Sequence, residues 1–112
     1  MRPLARRLSD VEKERSVCGF RQRLLKKDDG APASVTYLAV YEEGRHYHNE
    51  TTEYYYVLEG TGVLHLDDET IALEPNMVVW IPPGVKHSAE GDVKVLVICV
   101  PAFDAEDQYV IE

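Results

Sequence analysis

RHYHNETTEYYYVLEG, residues Arg45 to Gly60, sets two short β-patterns around a group of side chains that bind metals. Residues two apart on a strand face the same way, so His46 and His48 present both imidazoles to one side while Tyr47 turns to the other. Glu53 to Leu58 is rich in aromatic and β-branched residues and reads as the next strand, with Asn49 to Thr52 as the turn between. A carboxylate that opens the second strand can swing back toward the two histidines. Imidazoles plus a carboxylate suit a divalent transition metal of intermediate softness: iron, manganese, nickel, copper or zinc. Taken alone, two histidines on a strand read equally well as surface or core residues. The spacing leaves both readings open.

The decision comes downstream, at Pro82-Pro83-Gly84-Val85-Lys86-His87. With this stretch the chain resembles a small single-domain cupin. The first cupin motif is G-x5-H-x-H-x3-4-E-x6-G, and His46, His48, Glu53 and Gly60 fall on it. The second is G-x5-P-x-G-x2-H-x3-N, and Pro82, Gly84 and His87 fall on that. Together the matches span about half of the chain. Val40 stands at the leading glycine of the first motif, Asn76 at that of the second, and Gly91 at the closing asparagine. Asn is the residue other than glycine that best tolerates positive φ, so a turn at Pro75-Asn76 survives.

The balance of 12 basic against 20 acidic residues, a formal charge of −8, argues against nucleic-acid and anionic-membrane partners, which require basic patches. No apolar run reaches the roughly 18 residues of a membrane-spanning helix. The basic start, MRPLARRLSD, lacks the apolar stretch of a secretory signal, so the expected compartment is the cytoplasm. There the two cysteines, Cys18 and Cys99, are expected as thiols rather than a bridge. Cys99, within Val95 to Val100, reads as a small buried apolar group.

At 112 residues the chain is expected to form one domain over 1–112. Its core would run from about residue 18 to 103, with an amino-terminal arm or short helix before it and an acidic tail, 104–112, after it. Ser9 to Glu12 matches a capping box, which predicts a helix from Asp10 to Ser16. Strands are predicted at Phe20–Leu25, Ser34–Tyr41, Val63–Leu66, Thr70–Leu73, Met77–Ile81 and Val93–Val100. Glu42-Glu43-Gly44 breaks the second of these, and Tyr109-Val110-Ile111 reads as a last short strand. Strands at this spacing, punctuated by Gly, Pro and Asp, predict an all-β sandwich or barrel. The cupin resemblance sharpens that to a double-sheet jelly roll, the double-stranded β-helix barrel.

The resemblance also implies a site. His46, His48, Glu53 and His87 would hold one divalent transition metal and leave coordination positions open, as catalytic rather than structural sites do. Tyr55 shares the face of Glu53 and is the candidate for a catalytic hydroxyl in the pocket. His65 lies outside both motifs and reads as a core or surface residue, and Trp80 as a packing residue. Arg21 and Arg23 share one face of a strand; they read as a solvated face, with an anion site for a substrate carboxylate as the alternative. Cupins include dioxygenases, isomerases, epimerases, decarboxylases and lyases, so the expected function is metal-dependent chemistry on a small molecule. The alternative is a non-catalytic, metal-containing cupin that binds or senses a small ligand. Sugar-phosphate isomerases related to cupins carry a similar pocket, but no dedicated phosphate site is read here. A homodimer is expected, as in many small cupins.

Overall fold

The computed structural model describes residues 3–42 and 44–111; the expectations that fall on Met1, Arg2, Glu43 and Glu112 lie outside the described residues. Nine strands follow in chain order: β1 (Glu14–Ser16), β2 (Gly19–Leu25), β3 (Ser34–Glu42), β4 (His46–Tyr47), β5 (Thr52–Leu66), β6 (Glu69–Leu73), β7 (Val78–Ile81), β8 (His87–Val100) and β9 (Tyr109–Val110). Among the described residues there is no α-helix, only three-residue 3-10 turns. The jelly roll expected from the motifs is the fold found.

Its frame is the antiparallel pair β5–β8, in register from Thr52 opposite Val100 to Leu66 opposite His87. The sequence predicts two strands, before and after Gly60; the structure has one strand of 15 residues with a bend in it. A bulge between Val57 and Glu59 makes the bend, and a glycine with φ +84° completes it. A Cβ on Gly60 would run into the Asp92 carbonyl oxygen of β8. Pairing therefore continues through the bend while the sheet curls, which sequence periodicity cannot separate from a chain break.

Beyond the bend the two strands acquire different neighbours. The first half of β5 carries β7 on its free edge, and the second half of β8 carries β3, β2 and β1. The second half of β5 carries β6 instead, and His87 at the start of β8 pairs with β4, which in turn pairs with β9. Between the two curled layers lie Val57, Leu64, Ile81, Val93 and Val95, all essentially sealed from solvent. Each such side chain contributes about 1.5–3 kcal/mol by leaving water.

One expectation is corrected. No helix forms over Asp10–Ser16. Asp10 instead accepts the Arg7 N–H at the start of a 3-10 turn, Leu8–Asp10, and Glu14 to Ser16 pairs with β2. The Gln22 side-chain amide donates to the carbonyls of Leu8 and Val11, which lays the arm along β2 and outcompetes a short helix with little to pack against. The acidic end carries the short strand expected there. Tyr109 stacks on Tyr47 at 5.1 Å between ring centres, and β9 closes the sheet edge beside His46.

One face of the sheet stays apolar and open. Tyr54 lies opposite Trp80 and Tyr56 opposite Val78, and Val78 and Trp80 are 63% and 60% exposed. Trp80, read from the sequence as a packing residue, sits on this outer face, where its indole N–H donates to Thr52 Oγ1 at 2.6 Å. Strand alternation decides this: Glu53 and Tyr55 take the inward positions with their partners Ile81 and Val79, so Tyr54 and Tyr56 and the residues opposite them face out.

Candidate metal centre

His46 and His87 are cross-strand partners on β4 and β8. Their rings lie 4.2 Å apart, and that of His48, one residue beyond β4, lies 5.2 and 5.6 Å from them. Glu53 approaches from β5, between Ile81 of β7 and Cys99 of β8. All four side chains are buried, and one donor atom from each falls within 4.8 Å of the others. The four residues singled out in the sequence are thus brought together, at a group that could hold a metal ion.

Each imidazole has its Nδ1 on a backbone carbonyl: His46 on Gly44 at 2.7 Å, His48 on Asp107 at 2.8 Å and His87 on Val85 at 2.9 Å. A carbonyl only accepts, so Nδ1 carries the proton in all three, and in the neutral rings the Nε2 lone pair is left for the site. Nε2 of His48 and of His87 lie 2.9 and 3.0 Å from the same atom, Oε1 of Glu53. That oxygen is buried and receives no hydrogen bond of acceptable geometry. Its other oxygen accepts the Cys99 thiol at 3.7 Å. A buried carboxylate oxygen facing ring nitrogens without a hydrogen bond is the arrangement a cation would complete, so the donor set fits a divalent transition metal.

The electrostatics agree. Burial and the neighbouring His87 depress His46 to about 4, so its ring is neutral at physiological pH. Burial works to raise Glu53, but the adjoining imidazoles of His48 and His87 outweigh it and hold the carboxyl well below the usual range. Burial likewise opposes protonation of His48, yet Glu53 and the Asp107 carbonyl carry it upward. Burial and the Glu53 charge push the Cys99 thiol far up, so it remains a hydrogen-bond donor.

Two residues that hold the site escape the motifs. Asp107 accepts the N–H groups of Asn49, Glu50 and Thr51 with its carboxylate, fixing the turn between the two ligand segments. Cys99, expected as a mere apolar filler, is buried and also steadies Glu53. The Pro82–Gly84 turn is tied in by Gly84 N–H donating to the His48 carbonyl at 2.6 Å.

His46, His48 and Glu53 line a cavity of about 410 Å³, with Tyr55 also in its wall. That volume lies within the range of small-molecule sites. Tyr55, as expected, shares the inward face of Glu53, and its ring stands edge-on to His87 at 6.3 Å. Phe103 closes one side against His48 at 6.0 Å. His65 is not drawn in; it is partly exposed beside Thr70 and Glu90. No disulfide joins Cys18, which lines the cavity, to Cys99.

Known proteins share this architecture. A crystal structure of a protein from Planctomyces limnophilus superposes with a TM-score of 0.91 at 31% identity, covering 96% of each chain. The nucleoside dehydratase Pac13 of Streptomyces superposes with a TM-score of 0.86 over 100% of this chain and 92% of its own, and at 17% identity that likeness concerns the fold alone. An uncharacterized protein of Methanocaldococcus jannaschii is 34% identical over 71 residues, 60% of this chain and 57% of that one, so the chain spans little more than half of that relative. Residues 35–101 match the sequence profile described as Cupin domain, and they contain all four clustered ligand candidates. With both motifs, the jelly roll and the profile in agreement, the chain belongs to the cupin family.

Proposed function

We propose that the protein is a metal-dependent enzyme acting on a small molecule, with His46, His48, Glu53 and His87 as the ligands of one divalent transition metal. The observation that carries this reading is the set of three Nδ1–carbonyl bonds, which leave the Nε2 atoms of three clustered rings for the site, two of them against a buried carboxylate beside a cavity. A closed structural site would have no use for that cavity. When bound, such an ion supplies Lewis acidity to a substrate oxygen or to water. The chain does the rest. Phe103 and Leu38 contribute apolar wall to the cavity, and Tyr55, in the same wall with its ring edge-on to His87, is the residue proposed to exchange a proton with substrate. Dioxygenase, isomerase or epimerase, and lyase chemistry all fit this arrangement.

Two unbridged cysteines support a reducing compartment, the cytoplasm. The open Tyr54–Trp80 face supports a homodimer. Elemental analysis of the purified protein, followed by turnover assays with and without O2, tests the functional reading. One metal per chain and turnover abolished by Glu53→Gln are expected. A protein that carries metal and binds small molecules but turns none over would be a binding module instead.

A further inference from the structure

We infer that the cavity takes a substrate bearing a carboxylate, and that Arg21 is the residue that binds it. This rests on the functional reading above only for the word substrate; the anion site itself depends on residues away from the metal centre.

The chain is acidic overall, yet Arg21, Arg23, Lys26 and Lys27 gather in the cavity wall, against Asp28 and Asp104. Their partners are unequal. Glu14 takes Arg23 with both oxygens, at 2.9 and 3.3 Å. Lys27 is held by Asp104 at 2.6 Å. Arg21 reaches the same Glu14 only at 3.9 Å, too far for a hydrogen bond, and its Nε is buried with no acceptor. One carboxylate thus faces two guanidiniums, and Arg21 is left with surplus charge and an unused N–H.

Arg21 is also held in place. Its guanidinium lies over the Phe103 ring at 5.9 Å, and Phe103 also meets the His48 ring edge-on at 6.0 Å. The guanidinium and the metal centre therefore share one aromatic wall of one cavity. The same wall includes Leu38, cross-strand from Arg21, and Val97, cross-strand from Tyr55. A molecule fitting these features has an acid group for Arg21, a short apolar stretch, and a polar group at the histidines. One free guanidinium matches a planar monoanion; a phosphate dianion would need further donors, and with Arg23 and Lys27 already engaged only Lys26 is left to add charge.

The test uses the full chain, labelled with nitrogen-15, once with zinc added and once after chelator treatment. Sodium butyrate is the probe, butyramide its neutral counterpart and inorganic phosphate the competing anion. The Nε–H resonance of Arg21 is followed. Butyrate is expected to move it saturably in both samples, butyramide not to move it, and phosphate to bind more weakly. Arg21→Lys, which keeps the charge but loses the fork, is expected to weaken butyrate about tenfold, the scale of a charged hydrogen bond. Absence of a saturable shift in both samples overturns the proposal, as does equal binding of butyramide, tighter binding of phosphate, or unchanged affinity in Arg21→Lys. The chelated sample separates the two readings. Its response stands if the metal assignment fails, and its silence leaves that assignment untouched.

Discussion

The Asp107 carbonyl oxygen lies 2.8 Å from Nδ1 of His48, while the carboxylate of the same residue holds the backbone of the turn that leads from His48 to Glu53. One residue, 59 positions along the chain, therefore fixes both the tautomer of one candidate ligand and the loop between two of them.

Asp107→Ala keeps the backbone carbonyl that meets His48 but frees the loop, so metal binding should weaken about tenfold, the low end for a group that supports a ligand. The fold should lose about 1–3 kcal/mol as three N–H groups lose their acceptor. In the folded protein burial works to raise the Asp107 carboxyl, but those N–H groups and the nearby His48 lower it. A depressed carboxyl contributes stability that is whole above its ordinary value and is lost as pH falls through the folded one. Metal titration and urea unfolding of the variant check both effects. Unchanged metal affinity would mean that the His48 ring is oriented without the loop.

The ligand set itself is open to direct removal. His48→Ala or His87→Ala should cost roughly 3 kcal/mol of metal affinity, about a hundredfold, taking an equal share of the total for a four-ligand site. Glu53→Gln removes charge and little volume, so the fold should survive with the metal loosened. His65→Ala, at a partly exposed position whose Thr70 and Glu90 contacts are 3.3 and 3.4 Å, should leave metal content unchanged and stability within about 0.5 kcal/mol. If His65→Ala empties the site while Glu53→Gln does not, the ligand assignment is wrong.

Acid should unfold the metal-free protein by way of His46. Its pKa falls from 6.5 to about 4 in the fold, because burial and the neighbouring His87 resist a second charge there. The unfolded chain therefore takes up the proton first as pH falls. Stability from this ring is whole above 6.5 and is lost as pH drops toward 4, by roughly 3 kcal/mol. His48 is shifted upward and works in the opposite sense, contributing below its ordinary value and fading as pH rises. Urea midpoints in chelator should drop between about pH 7 and pH 4.5, and His46→Gln should flatten that slope. A wild-type midpoint that rises on acidification would show that His48 governs instead.

How much of this could be read from residues alone differs from part to part. The ligand positions were legible because same-face spacing and a proline-glycine turn are local properties, and His46, His48, Glu53 and His87 do converge. Asn76 adopts the positive φ expected of it, +71°. Gly91, where the motif has asparagine, has φ +114°, and a Cβ there would lie 2.7 Å from the Gly62 Cα, so this chain has no room for the side chain. Asp107 and Cys99 were not legible, because their roles arise from contacts across 59 and 46 positions. Residues 10–16 were misread for the same reason: Ser9 to Glu12 has the residues of a capping box, but Asp10 caps Arg7 instead and Gln22 takes the carbonyls of Leu8 and Val11.

The outward face of β5 and β7 argues for assembly. Tyr54 against Trp80 and Tyr56 against Val78 make two aromatic-apolar cross-strand pairs, and Val78 and Trp80 remain more than half exposed. Contiguous apolar surface of this kind is costly in water and ordinarily covered. In a twofold dimer the same patch meets its own copy, so a single substitution acts twice. Val78→Arg should then set two like charges near each other and shift a micromolar dimer toward monomer. The fold should hold, since the side chain points away from the core. Trp80→Ser should do so as well, with a further loss of about 1 kcal/mol in unfolding because the indole bond to Thr52 disappears. Light scattering on wild type and both variants decides the matter: a wild-type monomer, or variants that remain dimeric, would place the interface elsewhere or remove it.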